Sequence, residues 1–235
     1  MDLKESGTIG GDADRHWYFA SKARAVRRVL GNHFPAQFVD VGAGTGFFSR
    51  WFLDHTPAVA AWSVDSGYER DADERRDGGK VVHFRRSIDR VDARLVLLMD
   101  VLEHVDDDVG LLREYVARVP RGSRFLVTVP AFRWLWSAHD DFLEHKRRYT
   151  LREAEAVVRA AGLRAISGHY YFAGVFPLAA AVRLAHRKVD PPRSLLVRHG
   201  ALANASLGAI SRLETAVMRF NRAFGLTVVC VAESE

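Results

Sequence analysis

The stretch from Phe38 to Phe48 constrains the fold of this chain more than any other. An apolar run containing Asp40 leads into the turn Gly42-Ala43-Gly44-Thr45-Gly46, and an amphipathic segment begins directly afterwards. This order predicts a buried strand, a tight turn and the N-terminus of a helix, whose free N–H groups can face a ligand. The spacing differs from the dinucleotide fingerprint G-x-G-x-x-G, whose third glycine would stand where this sequence has Phe47.

Composition limits the domain count, the compartment and the partners. A chain of 235 residues, 48% of them hydrophobic, suffices for one α/β domain with an added helical segment. Cys230 is the one cysteine, so no internal disulfide can form, and no signal-like apolar core follows Met1; we therefore expect a cytoplasmic protein. The net charge of +5 is spread along the chain, which permits a phosphate-bearing, nucleic-acid or membrane partner without selecting one.

Residues 165–182 contain no Asp, Glu, Lys or Arg, a length close to the lower limit for a membrane span. Gly168, His169, Gly174 and Pro177 interrupt this stretch, and its first half has the pattern of a strand. We therefore expect no transmembrane helix, although peripheral contact with a membrane surface stays open.

Hydrophobic periodicity along the chain predicts strands that alternate with helices. Strands are predicted at 38–41, 58–64, 81–84, 95–99, 125–129, 163–172 and 227–232, and helices at 14–30, 45–55, 106–118 and 150–161. The charged stretch 71–80 is predicted to form a short helix and a surface loop, and residues 1–13 a mobile lead-in. Apolar spacing in 173–224 predicts two further helices, interrupted at Asp190-Pro191-Pro192. We predict one domain over residues 1–235, with 173–224 as a helical insertion that covers the site, forms a homodimer or contacts a membrane.

Acidic residues and histidines follow the predicted strands at their carboxyl ends. Asp65 ends the second strand, 19 positions after Gly46, where a nucleotide-binding domain needs an acceptor for ribose hydroxyls. The apolar run 95–99 leads into Asp100-Val101-Leu102-Glu103-His104, and residues 131–149 after the fifth strand are rich in aromatic, histidine and charged side chains. Because ligands of open α/β sheets bind outside the carboxyl ends of the strands, these segments predict one shared site.

The segments Asp40–Gly46, Asp65 and Asp100–Val105 together resemble class I S-adenosylmethionine (AdoMet)-dependent methyltransferases over nearly the whole chain, the insertion excepted. The resemblance implies a Rossmann-like, doubly wound α/β fold with a seven-stranded sheet of order 3-2-1-4-5-7-6, in which strand seven is antiparallel. It also implies AdoMet as the cofactor. The implied cofactor-binding residues are Asp40, Gly42, Ala43, Gly44, Gly46, Asp65, Ser66, Asp100 and Val101, with Ser87 and Ile88 as candidates for the adenine contact.

Two mechanisms are compatible with the residues that follow strands four and five. In the first, a metal ion is held by Asp100, Glu103, His104 and His145, with His139 as the rival of His145. The acid-x-x-Glu-His spacing is similar to that of small-RNA 2′-O-methyltransferases and ubiquinone-pathway O-methyltransferases, some of which use Mg²⁺. A metal ion would lower the pKa of a bound hydroxyl acceptor.

In the second mechanism, a general base removes the proton without a metal, and His104 or His139 is the candidate. Asp140 would orient His139 or bind hydroxyl groups of the acceptor. A third interpretation gives Glu103 and His104 only a structural role in their loop. Candidates for binding a phosphate or sugar of the acceptor are Arg147, Arg148 and Tyr149.

The sequence therefore predicts an AdoMet-dependent methyltransferase that acts on a small-molecule or lipid-linked acceptor. O-methylation of a saccharide or a secondary-metabolite hydroxyl is the favoured reaction. An RNA 2′-O-methyltransferase is the first alternative, but the sequence shows no added RNA-binding module, basic stripe or stacking array, so nucleic acid is not expected. A non-catalytic AdoMet-binding partner subunit is the second alternative, and the intact Asp100–His104 segment argues against it.

Overall fold

The computed structural model describes residues 16–31, 34–187, 194 and 199–235. The helices are α1 (Trp17–Leu30), α2 (Phe47–His55), α3 (Asp108–Arg118), α4 (Ala138–Phe142), α5 (Leu151–Ala160), α6 (Phe176–Ala185) and α7 (Ala201–Val217). The strands are β1 (Gln37–Val41), β2 (Ala60–Val64), β3 (Ala72–Arg75), β4 (Val81–Arg85), β5 (Leu95–Met99), β6 (Arg124–Pro130), β7 (Leu163–Tyr171) and β8 (Thr227–Ser234). Short 3-10 turns occupy Asp77–Gly79, Leu102–His104, Arg133–Leu135 and Met218–Phe220.

The strands form one eight-stranded sheet in the order β3-β4-β2-β1-β5-β6-β8-β7. The central strands β4, β2, β1, β5 and β6 are parallel, whereas β8 pairs antiparallel with both β6 and β7. Without the edge strand β3, this is the predicted doubly wound order, with the last strand antiparallel. β5 is buried along its whole length, as expected for a parallel strand covered on both faces.

The stretch 71–80 differs from its prediction. Instead of a helix it forms β3, antiparallel to β4 at the sheet edge, followed by the 3-10 turn. Ion pairs hold this strand, with Glu74 at 2.6 Å from Arg50 and Asp73 at 2.8 Å from Arg85. Charged side chains are typical of edge strands, and they remove the alternation of apolar and polar residues from which a strand is predicted.

Helices cover both faces of the sheet and enclose two apolar cores. On one face, α1 and α2 contribute buried residues such as Phe19 and Phe52. On the other face, α3 and α5 contribute residues such as Leu112 and Val158. Since both faces are covered, the carboxyl edge of the parallel strands is the place left for a ligand.

Between β7 and β8 the chain adds α6 and α7. α7 packs against α1, and the carboxylate of Glu214 accepts hydrogen bonds from the backbone nitrogens of Ala173 and Gly174 at 2.7 and 3.0 Å. The outer side of this segment exposes apolar side chains, among them Leu202, Leu213, Val217 and Phe220. Contact of the insertion with a membrane or a second copy stays a prediction. The lead-in 1–13 and the predicted break at 190–192 lie outside the described residues.

The uncharged stretch 165–182 is divided between a strand and a helix, since β7 ends at Tyr171 and α6 begins at Phe176. Among the helices that the structure describes, none has both the length and the apolar character required to cross a membrane.

Substitution of Gly225 by alanine should destabilise the fold, because a Cβ there would lie 2.4 Å from the backbone oxygen of Tyr171. Backbone cannot move aside as a flexible side chain does, so we expect the free energy of unfolding to fall by about 1–3 kcal/mol. Gly200→Ala is the matched control, since nothing lies within 4 Å of its added Cβ. Urea unfolding followed by circular dichroism measures both variants, and equal stabilities would contradict the prediction.

Candidate functional site

A cavity of about 340 Å³ opens at the carboxyl ends of the central strands. Its walls come from the β1–α2 turn, the tip of β2, the segment after β5 and the segment after β6. α1 contributes Tyr18 and Phe19, and α6 of the insertion contributes Arg183. Residues from distant parts of the chain therefore meet at the edge of the sheet where ligands of α/β proteins bind.

The β1–α2 turn forms one end of the cavity. Gly42 has a φ of +62°, and a Cβ at this position would lie 2.7 Å from Val101 Cγ2. The left-handed backbone and the close approach of Val101 both favour glycine at this position, and Gly42 itself lines the cavity. Asp65, at the tip of β2, accepts hydrogen bonds from the nitrogens of Gly44 and Gly67, each at 2.9 Å. A carboxylate is thereby fixed beside the glycine turn, where the hydroxyls of a ribose need acceptors.

Several predicted cofactor-binding residues do not reach the cavity. Asp40 is buried and accepts a hydrogen bond from Ser49 Oγ at 2.7 Å, and burial raises its pKa to about 6. At Gly46, a Cβ would lie 2.6 Å from the ring of Phe84, so side-chain packing explains this glycine. Others outside the cavity lining are Ala43 and Ile88, which are buried, and Ser66 and Ser87, which are exposed.

Asp100 lines the cavity and forms an ion pair with the buried Lys22 of α1, a contact that sequence reasoning missed. Burial alone would lower the pKa of Lys22, but the charge and hydrogen bond of Asp100 outweigh it and raise that pKa. Thr128 Oγ1 donates to the other carboxylate oxygen at 3.1 Å. Asp100 has a left-handed φ of +57°, which is costly for a residue other than glycine, and these two contacts hold it in that conformation.

Glu103, His104 and His145 each bring a ligand atom to within 4.8 Å of the others. Glu103 is fully buried, and neither carboxylate oxygen forms a hydrogen bond with another residue in the described part of the chain. Burial and the charge of Asp100 raise the pKa of Glu103 well above its usual range. Asp100 itself is not part of this cluster, so the structure brings together three of the four predicted metal ligands.

Asp140 holds His145, whereas the sequence predicted His139 as its partner. The fully buried carboxylate of Asp140 accepts hydrogen bonds from His145 Nδ1 at 2.8 Å and from Arg148 Nε at 2.7 Å, and Arg183 Nη1 lies at 3.3 Å. Burial alone would raise the pKa of Asp140, but these hydrogen bonds and charges outweigh it and hold that pKa below its usual range. Asp140 is therefore ionised and enclosed by protein, and it orients His145.

The two candidate imidazoles differ in basicity and in orientation. Burial and the charge of Arg183 lower the pKa of His139 to about 3, so this ring is neutral near pH 7 but a weak proton acceptor. His145 donates Nδ1–H to Asp140, which leaves a lone pair on Nε2. Its ring centroid lies 4.8 Å from that of His104. Nε2 of His145 can therefore ligate a metal ion or accept a proton.

Sequence reasoning missed two cations of this site, Lys22 and Arg183. Lys22 lies one helical turn after Tyr18, so the two side chains share a face of α1. Because Tyr18 lines the cavity, helical spacing could have indicated that Lys22 lies on the side of α1 that faces it. Arg183 lies in the insertion, 43 positions from Asp140, and no local pattern points to their contact.

Comparison with known proteins supports the fold. A malonyl-[acyl-carrier protein] O-methyltransferase of Geobacter sulfurreducens is 30% identical over 142 residues, which make up 58% of this chain and 45% of that protein. The chain therefore matches less than half the length of this curated relative. No model of a protein family matches the chain.

Solved structures match over nearly the whole chain. An S-adenosylmethionine-dependent methyltransferase from Mesorhizobium loti gives a TM-score of 0.56 at 14% identity, covering 92% of this chain and 99% of that one. A geranyl diphosphate C-methyltransferase from Streptomyces coelicolor, in complex with Mg²⁺, geranyl diphosphate and S-adenosylhomocysteine, gives 0.56 at 14% identity, covering 92% and 80%. With the sheet order, these likenesses show that the chain has the class I AdoMet-dependent methyltransferase fold, as its motifs predicted.

In the presence of a metal chelator, Glu103→Gln should be more stable than the parent protein, and this difference should increase as the pH rises. An acid whose pKa is raised by folding keeps its proton in the folded state and loses it in the unfolded state, so wild-type stability falls as pH rises above the unfolded pKa. Glutamine has no proton to lose, so the gain in melting temperature should grow from about pH 5 to about pH 8. Glu69→Gln, at an exposed position, is the control. A gain independent of pH would contradict the raised pKa.

Proposed function

We propose that this chain binds AdoMet and transfers its methyl group to a hydroxyl of a small-molecule or lipid-linked acceptor, such as a saccharide or a secondary metabolite. One observation carries the proposal: a single cavity is bounded at one end by Gly42 and Asp65 and at the other by His104 and His145. Donor and acceptor can share this enclosed space, which a displacement reaction requires. The curated relative is named an O-methyltransferase, which supports oxygen as the accepting atom.

The donor end of the cavity fits AdoMet. Gly42 and Gly44 line the cavity with their backbone, and Asp65 offers two carboxylate oxygens to the ribose hydroxyls. Asp100 would lie beside the methionine end, held by Lys22. When bound, AdoMet supplies an electrophilic methyl group. Tyr18 and Phe19 line the cavity from α1 and help to exclude water, which strengthens polar contacts inside.

On the acceptor side we favour His145 as the base. Asp140 fixes the ring by accepting Nδ1–H, so Nε2 is available for the proton of an acceptor hydroxyl. The same carboxylate would stabilise the imidazolium that forms, because it stays ionised. His139 is a poorer base, since its pKa is lowered to about 3. His104 borders the same space and would help to position the hydroxyl.

The same residues would hold a divalent cation in a metal-dependent version of the reaction. Glu103, His104 and His145 offer one carboxylate and two imidazoles, a donor set that suits Mn²⁺, Fe²⁺ or Zn²⁺ better than the expected Mg²⁺, which prefers oxygen ligands. The buried carboxylate of Glu103, without a protein partner in the described residues, supports the fit. A bound cation would lower the pKa of the acceptor hydroxyl. Asp140 then orients a ligating imidazole, as carboxylates commonly do around metal sites.

The two alternative functions stay predictions. RNA 2′-O-methylation needs a surface that holds a strand, whereas the cavity of about 340 Å³ supports a small acceptor. A non-catalytic AdoMet-binding subunit would have no use for an imidazole held by a buried carboxylate, which His145 and Asp140 provide.

Calorimetric titration with S-adenosylhomocysteine tests the proposal at the cofactor step. The parent should bind, and Asp65→Ala should bind about 10-fold more weakly or worse, because a hydrogen bond to a charged group contributes about 1.5–3 kcal/mol. Asp89→Ala is the matched control, since Asp89 is exposed and does not line the cavity. Absence of binding in the parent, or equal affinity in the two variants, would count against the proposal.

Titration of Mn²⁺ into protein saturated with S-adenosylhomocysteine tests the metal site. We expect saturable binding in the parent and its loss in both Glu103→Ala and His145→Ala, because each removes one of the three ligands that the described residues offer. His83→Ala is the control, since His83 pairs with Asp73 at the far edge of the sheet. If the parent binds no Mn²⁺, the metal-dependent version fails and His145 remains as a base acting without metal.

A further inference from the structure

A second cavity, of about 740 Å³, adjoins the first beside the segment that follows β6. His145 and Arg148 line both cavities. The other residues around the second cavity are the cationic or aromatic Arg133, Trp136, Lys146, Arg147 and Tyr149 and the acidic Asp108 and Glu153. An acceptor whose hydroxyl reaches His145 in the first cavity therefore has room to extend into the second.

Two guanidinium groups share one buried carboxylate beside the two cavities. The carboxylate of Asp140 is shared by Arg148 at 2.7 Å and Arg183 at 3.3 Å. Arg148 is buried, and its Nη2 has no hydrogen-bond partner in the part of the chain that the structure describes. A buried donor without a partner costs free energy, which an acceptor group on a ligand would offset. Arg148 Nη2 therefore offers one N–H donor that no residue in the described part of the chain uses.

Arg133 provides a second guanidinium group. It is exposed, lines the second cavity and forms no ion pair with any acidic residue among those described. Lys146 and Arg147, by contrast, are already paired with Asp106 at 2.5 Å and Asp108 at 3.1 Å. The donors available to a ligand are therefore the guanidinium group of Arg133 and Nη2 of Arg148, whose Nε already pairs with Asp140. Guanidinium groups bind phosphate through parallel N–H donors.

Trp136 provides an apolar surface in the same cavity. Its Nε1 donates to Asp141 Oδ1 at 2.8 Å, which fixes the orientation of the indole ring. A ring fixed in this way offers a flat face to the carbon skeleton of a ligand. The second cavity thus combines sites for an anionic group and for an apolar or sugar ring.

We propose that the second cavity binds a phosphate group of the methyl acceptor through Arg133 and Arg148, so that the acceptor is a phosphorylated hydroxyl compound. This inference deepens the proposed function and rests on it, since the hydroxyl occupies the first cavity beside His145. The phosphate belongs either to a soluble sugar phosphate or to a lipid phosphate, and both present the same oxygens to the two guanidinium groups. A neutral analogue has no charged oxygens for these donors and binds more weakly.

Calorimetry with glucose 1-phosphate tests the phosphate site in protein first saturated with S-adenosylhomocysteine. Glucose is the uncharged comparison and should bind at least about 10-fold more weakly, given the strength of hydrogen bonds to charged groups. Arg133→Gln should weaken glucose 1-phosphate binding by about 10-fold and, being at an exposed position, should fold normally. Arg90→Gln is the matched control, since Arg90 is exposed and lines neither cavity.

Sedimentation with phosphatidylcholine vesicles, with and without phosphatidic acid, tests the lipid source of the phosphate. Binding that requires phosphatidic acid and is lost in Arg133→Gln but kept in Arg90→Gln would assign the phosphate to a lipid. The inference is overturned if neither phosphate probe binds better than its uncharged counterpart, or if the two arginine variants behave alike. If the phosphate inference fails but the parent still binds S-adenosylhomocysteine, the proposed function stands. If the parent does not bind S-adenosylhomocysteine, the proposed function itself is in question.

Discussion

The acceptor side of the site depends on one buried carboxylate. Asp140 joins the loop residue His145, Arg148 just before α5, and Arg183 of α6, and it also accepts a hydrogen bond from the nitrogen of Ser137 at 2.9 Å. Residues of the segment 137–148 and the distant Arg183 of α6 are thereby tied to one point. Because the group is fully buried, its interactions are screened little by water, and its loss would leave buried arginine charge without a partner.

A second ion pair, buried on the lysine side, organises the side of the cavity proposed for the methyl donor. Lys22 of α1 pairs with Asp100 after β5, and this contact holds α1, with Tyr18 and Phe19, over the cavity. The carboxyl ends of the strands form the base of the cavity, and α1 and α6 cover it. Each of these two helices is attached to a carboxylate through a cationic side chain. Displacement of either helix requires separation of one of these part-buried ion pairs. The covers are therefore expected to stay in place while ligands enter between them.

The parts of the fold that follow from local pattern could be predicted, and the contacts between distant side chains could not. β5 was predicted from residue 95 to residue 99 because a strand buried on both faces is an uninterrupted apolar run. β3 was not predicted, because it is an edge strand with charged side chains and lacks the apolar pattern from which a strand is recognised. The position of Asp65 beside the glycine turn follows from the topology, since parallel strands end at the same edge of the sheet.

The partner of Asp140 shows where sequence reasoning fails. His139 is its neighbour in the chain, but α4 is only five residues long, and after it Glu144 adopts a φ of +57°. This reversal brings the next residue, His145, back to the carboxylate. The pairing of Lys22 with Asp100 spans 78 positions, and periodicity places each residue on its element without indicating that the two meet.

The protonation of Glu103 bears on the choice between the two proposed mechanisms, one with a metal ion and one without. Its buried carboxyl retains a proton to unusually high pH, and a cation that binds the same oxygens has to displace that proton. The metal-dependent reaction would therefore gain activity as the pH rises. A reaction with His145 as the base gains activity with pH as well, since the imidazole must be unprotonated to accept the hydroxyl proton. Activity that rises with pH is thus common to both mechanisms. In the metal-dependent mechanism, cation and proton compete for Glu103, so a higher cation concentration shifts the acidic limb of the pH profile to lower pH. The mechanism without metal gives no such shift.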